Sequence, residues 1–176
     1  FELDFDDLMR PFLNDPDPTV RRYALEGLWE YQRADLVEPL LRLLSTDPDT
    51  LVRAAAAVSL GRFLFMAECD ELDRSLAAEI EGGLRAAAES ADEDIDVRRR
   101  ALESIAYING ERWVHRLIDE AYAHTDMRMR QSALFAMGRN AERLWAETVL
   151  AELYNEHPAM RYEAARACGE LELRRA

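Results

Sequence analysis

The sequence predicts an all-α chain, a right-handed α-solenoid of stacked antiparallel helix pairs, and three observations predict it. First, an aliphatic residue, Arg, an Ala three positions later and an apolar residue four beyond recur five times. The copies are Val20-Arg21…Ala24…Leu28, Val52-Arg53…Ala56…Leu60, Val97-Arg98…Ala101…Ile105, Met129-Arg130…Ala133…Met137 and Met160-Arg161…Ala164…Cys168. The arginines lie 32, 45, 32 and 31 residues apart, and a period in this range marks units that stack to share a core. Second, an apolar stripe at helical spacing follows each of three copies: Leu36, Val37, Leu40, Leu41, Leu44; Trp113, Val114, Leu117, Ile118, Ala121; Trp145, Ala146, Val149, Leu150, Leu153. Third, six residues before each Arg stands Asp15, Asp47, Asp92, His124 or Asn155.

Each copy therefore reads as a first helix carrying the motif and a second helix carrying the stripe. Together they form one solenoid over residues 1–176, with repeats at about 15–46, 47–91, 92–124 and 125–156. Residues 1–14 make a half repeat, in which Phe5, Leu8, Met9 and Phe12 fit the second-helix columns. Residues 157–176 make another, a first helix without a second. Solenoids normally end in capping repeats with polar outer faces, and neither end shows one, so the segment is expected to be an excerpt of a longer array.

The turns before the first helices carry Asp15-Pro16 and Asp47-Pro48, and Pro158 opens the last copy. Asp or Asn at a turn accepts backbone N–H bonds, and Pro suits a first helical turn. The recurrent Arg reaches the Asp of its own or the adjoining repeat. Arg21, Arg53, Arg98, Arg130 and Arg161 with Asp15, Asp47 and Asp92 then form an internal polar ladder that fixes repeat register.

Repeat two is thirteen residues longer than its neighbours, and the surplus falls near 64–76 (LFMAECDELDRSL). It lengthens the first helix or the link to a second helix at about 71–90, which holds Gly82-Gly83. Insertions in such arrays often lie on a binding face.

Composition narrows the function classes. Net charge is −13, and all 22 basic residues are Arg, which removes lysine Schiff-base chemistry from this segment. Residues 68–96 hold eleven acids against two Arg, and residues 97–143 nine Arg against six acids. This asymmetry reads as solvated faces or as a dipolar surface that orients a partner. Binding to nucleic acid requires neutralised phosphates and is disfavoured by the acidic balance. No apolar run approaches the ~20 residues of a membrane span. Cys69 and Cys168 lie in different repeats, as expected of reduced thiols in a cytoplasmic protein.

With the Asp-Pro turn, the Val-Arg pair, the spaced Ala and the Leu60-Gly61 and Met137-Gly138 helix ends, the chain resembles the HEAT repeat, in the short bacterial form often labelled phycobilisome-lyase-like. Repeat one departs by placing Trp29 where the motif usually has Gly. Leu36, Trp113 and Trp145 are larger than the Ala usual at their position. The resemblance implies a HEAT-like superhelix. Its members include scaffolds, chromophore lyases, an iron-dependent hydroxylase and DNA glycosylases, so fold alone does not choose an activity.

No catalytic constellation stands out. His115, His124 and His157 are the only histidines, no His-Glu dipeptide of the hydroxylase kind occurs, and CxxC, HExxH and G-x-S-x-G are absent. Ser59, Ser104 and Ser132 read as packing residues, and no catalytic residue, metal ligand or cofactor is expected.

The second helices of such arrays usually line the concave side. Expected to face outward there are Glu38 and Arg42, then His115, Arg116 and Asp119, then Glu147, with Tyr107 and Tyr122 nearby in sequence. Trp113 and Trp145 share one column and have two readings. Either their rings stack between repeats, or they join an aromatic-and-Arg patch of the kind enriched at binding hot spots. The expected function is a non-enzymatic scaffold presenting a curved acidic surface to a protein or peptide. Alternatives of other classes are a bilin-lyase-like or chromophore-binding protein and a regulatory segment of a larger enzyme.

Overall fold

The structure is a computed structural model and describes residues 5–173. The described residues form ten α-helices and three short 3-10 turns, with no strand. They cluster into two compact units, Phe1–Ala101 and Leu102–Ala176, and the boundary falls inside helix α6 (Ile95–Ile105).

The first unit opens with α1 (Phe5–Met9) and a 3-10 turn at Arg10–Asn14. Pro11 sits in this turn, and the apolar side that goes inward belongs to Leu13, which is 2% exposed. The expected Phe12 and Leu8 are exposed instead. The tighter 3-10 winding rotates the face by a residue. The side chain of Phe5 lies outside the described residues.

Two helix pairs follow: α2 (Pro18–Gly27) with α3 (Val37–Thr46), then α4 (Thr50–Glu68) with α5 (Arg74–Glu89). First helix packs on first helix (α2 on α4) and second on second (α3 on α5), while α3 and α5 both pack against α4. The motif residues form the buried spine: Ala24, Val52, Ala56, Leu60, Val97 and Ala101 are all 0% exposed. Alanine in the middle of the motif lets neighbouring helices approach; the flanking aliphatics remove apolar area from water.

The surplus of repeat two goes into both of its helices. Helix α4 runs 19 residues and α5 16, against 10 for each of α2 and α3. The link between them turns through Asp70, which adopts φ 59. Helix α5 continues through Gly82-Gly83. A Cβ on Gly83 would lie 2.6 Å from Leu41 Cδ2, so glycine there permits α5 to approach α3. By length and apolarity α4 could cross a membrane, contrary to the expectation that no segment would. In the first unit it is the helix on which α2, α3 and α5 all pack.

The second unit contains α7 (Arg112–Tyr122), α8 (Met127–Asn140), a 3-10 turn at Arg143–Trp145, α9 (Ala146–Glu152) and α10 (Pro158–Glu170). Helix α8 packs on α7 and on α10, and α9 packs on α10. Its spine repeats the chemistry of the first: Ala133, Met137, Met160 and Ala164 are 1% exposed or less. Leu150, expected in the apolar stripe of α9, is 41% exposed. That helix has only seven residues, and Val149 beside it fills the interior. The chain is thus an α-solenoid by class, built of helix pairs stacked in two layers within each unit.

Candidate functional site

The turn residues organise everything else. Asp15 Oδ1 accepts the N–H of Asp17 at 2.8 Å, and Asp47 Oδ1 accepts that of Asp49 at 2.9 Å. His124 Nδ1 and Asn155 Oδ1 do the same for Asp126 and His157, each at 2.9 Å. Two residues further on, Asp17, Asp49 and Asp126 cap their helices by accepting the first free N–H groups, and Asp73 does the same at the start of α5. The column four residues before the Arg is the true N-cap, a signal the sequence carried in plain sight as Asp17, Asp49, Asp94 and Asp126.

The arginines divide by partner. Arg21 holds Asp47 of the next turn through two bonds of 2.7 Å, Nε to Oδ2 and Nη2 to Oδ1, and its Nη1 donates to the Asp15 and Pro16 carbonyls. Both side chains are buried. Asp47 raises the Arg21 pKa by hydrogen bond and charge, outweighing burial. Arg53 repeats the arrangement with Nη1 on the Asp47 carbonyl at 2.8 Å, but its carboxylate is Glu93, with Nη2 to Oε1 at 2.7 Å. Asp92, expected at that rung, is exposed. Glu93 also accepts the Asp94 N–H at 2.7 Å. Where the first two turns have proline (Pro16, Pro48), this turn has a longer carboxylate that serves the backbone and the guanidinium together. Burial pushes the Glu93 pKa up, but Arg53 and the Asp94 N–H outweigh it and leave it lowered.

Beyond Arg53 the ladder changes character. Arg98 donates to the Ala88 carbonyl at 3.4 Å. Arg130 lies near Tyr122, whose pKa its charge tends to lower. Arg161 is exposed and holds its own turn through the Asn155 and Glu156 carbonyls. The turn column offers His124 and Asn155 here, neither of them a carboxylate, and both are occupied with backbone N–H groups.

A second polar lock, missed from the sequence, serves the second unit. Asn140, fully buried, accepts the Trp145 indole N–H at 2.9 Å and donates to the Ile108 carbonyl at 2.9 Å. Trp145 is 3% exposed, because the 3-10 turn before α9 swings its ring inward. It therefore cannot belong to an exposed patch, and His115 packs edge-on against it at 5.7 Å. Glu142 Oε1 lies 2.8 Å from both His115 Nε2 and the Gly110 N–H. Tyr122 donates to Glu152, which also accepts from Asn155 Nδ2 at 2.5 Å. Burial first, then this bond and the Glu152 charge, push the phenol up to about 12. His115 and Tyr122 are thus half-buried members of internal networks rather than open contact residues.

What stays available is polar. Glu38, Arg42, Arg116 and Asp119 are exposed. Arg42 bonds Asn14 at 2.7 Å, and Arg116 lies 3.8 Å from Glu120. Trp113 is half-buried on α7. Two open grooves run between helices of the first unit. One, of about 260 Å³, lies between α3 and α5 over Leu41, Leu44, Gly83, Ala86 and Ala87. The other, of about 370 Å³, lies among α2, α4 and α6 over Leu25, Ala54, Ala55 and Val58. No group of three or more His, Cys, Asp or Glu placed to hold a metal occurs among the described residues.

Residues 7–91 match the family model for HEAT repeats. That HEAT span is just under half of the chain, and it contains the Arg21–Asp47 rung and Arg53, whose carboxylate Glu93 lies just beyond it. No curated protein sequence matches the chain. Among solved structures, a designed armadillo repeat protein in complex with the peptide (KR)4 is similar at TM-score 0.57 and 13% identity, over 95% of this chain and 81% of that one. A computationally designed armadillo repeat protein for modular peptide recognition gives 0.48 at 12% identity, over 94% and 81%. At 13% identity the first likeness concerns the fold alone, and it agrees with stacked helix pairs.

Proposed function

We propose that the chain is a non-enzymatic scaffold that binds a protein or peptide in the channels left between stacked helices. The observation that carries this reading is the pair of open grooves, whose floors are small aliphatic side chains held by a fully buried spine. Rigid floors limit the ordering entropy that binding must overcome. Glu26 and Arg100 on the one groove, and Ser45, Ser90 and Glu93 on the other, supply the polar rim usual around such floors. The similar designed protein that carries (KR)4 supports a peptide as the kind of partner, and a net charge of −13 favours encounter with basic segments.

The short bacterial HEAT branch is part of the same proposal, on the Asp-Pro turns and the Leu60-Gly61 and Met137-Gly138 pairs. So is a reducing compartment, on the free thiols Cys69 and Cys168.

A displayed random-peptide library panned on the immobilised chain tests the reading. It should enrich a consensus whose synthetic version binds the folded chain by calorimetry, and the urea-unfolded chain should not select it. Equal enrichment on folded and unfolded protein would remove the scaffold reading. The combined variant Trp113→Ala, Arg116→Glu reports whether α7 contributes.

A further inference from the structure

We propose that the cleft around Trp29 binds an acidic segment of a protein partner. A Glu or Asp side-chain carboxylate of that segment sits on Arg62, and a large apolar side chain beside it lies on the Ala54–Ala55–Val58 floor. The inference rests on the scaffold reading and names the chemistry of one of its grooves.

Three observations converge there. Trp29, two residues past the end of α2, occupies the motif position that Gly61 and Gly138 hold inside α4 and α8, and it is 40% exposed. An indole this exposed leaves apolar area in water unless its face is used. Arg62 covers that face, with its guanidinium carbon 4.5 Å from the ring centroid. Arg62 Nη1 is buried and has no hydrogen-bond acceptor among the described residues. Buried donors are nearly always satisfied, and a ligand is one way to satisfy this one. Finally, two cavities meet at the indole. A narrow apolar one, with room for about 20 Å³, reaches Leu36, Leu40 and Phe63; the open groove of about 370 Å³ lies on the other side. Both share Leu25, Trp29 and Ser59.

A carboxylate fits better than a peptide carbonyl because it answers the charge as well as the N–H, and such bonds are about twice as strong as neutral ones. Stacking fixes the guanidinium plane, so little side-chain entropy remains to be lost. Arg62 on the narrow cavity and Arg100 on the open groove, beside Glu26, supply the local positive charge in a segment, residues 1–101, of 23 acids against 12 Arg. Long-range repulsion then slows the approach of an acidic segment, and added salt, which screens it, tightens binding. A basic segment attracted by net charge would weaken with salt. The stacked arginine recurs: Arg139, nine residues after Arg130 as Arg62 is after Arg53, lies over Tyr107 at 4.5 Å and Phe135 at 4.3 Å. It serves as an internal control.

The experiment titrates the full chain with capped, C-terminally amidated hexapeptides in three sets that place Glu, Gln or Lys next to Leu or Phe. The Glu set should bind, with the Gln set at least about ten-fold weaker, and affinity should rise between low and high salt. Arg62→Met should erase the Glu-over-Gln preference while keeping the melting temperature, and Trp29→Ala should weaken both sets. Arg139→Met should change nothing. Equal binding of Glu and Gln sets to the wild-type chain overturns the proposal even if Arg62→Met fails to fold, as does a preference that survives in Arg62→Met. Binding only of peptides with a free C-terminal carboxylate also overturns it, by making the anion a chain end. Binding of the Lys set alone sinks the cleft and leaves the scaffold standing; no binding by any set up to ~1 mM sinks both.

Discussion

Arg21 and Arg161 occupy the same place in the repeat and do different work. Arg21 is buried against a buried Asp47, so Arg21→Ala strands an unpaired carboxylate and is expected to cost about 3–5 kcal/mol. Arg161 is exposed and bonded to carbonyls, so Arg161→Ala should cost less than about 1 kcal/mol. Urea unfolding of the two variants makes the comparison; similar losses would refute the division of the ladder. The sequence displayed five equivalent arginines but not their partners, because the partner depends on the turn: Asp47 and Glu93 are carboxylates, whereas His124 and Asn155 are not. Titration sharpens the point. The Glu93 pKa is lowered in the fold, so its contribution is present above the ordinary glutamate value of about 4.3 and is lost as pH falls through the lowered one. Glu93→Gln should therefore flatten the acid limb of a stability–pH curve. Tyr122, pushed up to about 12, contributes fully below the ordinary phenol value of about 10 and loses that contribution as pH rises toward 12. Tyr122→Phe should remove this alkaline loss, measured as melting temperature against pH.

At the scale of helices, two glycines give opposite expectations. A Cβ on Gly82 would meet nothing within 4 Å, so Gly82→Ala should stabilise α5 by about 0.5–1 kcal/mol. A Cβ on Gly138 would lie 2.8 Å from the Ala167 Cα and 2.9 Å from its Cβ, so Gly138→Ala must push α10 away and should cost about 1–3 kcal/mol. Calorimetric melting distinguishes the two signs. The first-helix spine was legible in the sequence because Ala and aliphatic residues at spacings of three and four admit one buried face. The second-helix faces were only partly legible. Leu36 and Trp145 end 3-10 turns and go inward, whereas Trp113 is helical and stays half-buried. Spacing alone does not announce a change of winding, nor did it reveal that Asn140 would fix Trp145.

Over the whole molecule, 35 acids against 22 arginines repel one another in the folded chain. Added salt screens exposed charges and leaves buried pairs such as Arg21–Asp47 nearly untouched. The melting temperature should therefore rise from low to moderate sodium chloride, and a fall would mean that exposed ion pairs dominate. The helix-pair architecture was legible from the recurring motif, and the division at Ala101 was not. It falls within α6, where the periodicity runs on without a break. The opening beside α2 was legible only as an oddity, a tryptophan in a glycine column, because its meaning depends on Arg62 from the following repeat.

That column governs interchangeability. Gly138 brings α8 against α10 with no room for a side chain, while Trp29 sets a bulky ring just past the end of α2. Modules with such unlike shoulders cannot be shuffled, duplicated or deleted at will. A tandem built by copying residues 15–46 into the slot of 125–156 would bring an indole to a seam tailored for a hydrogen atom, so the succession of modules is as much a property of this protein as their number.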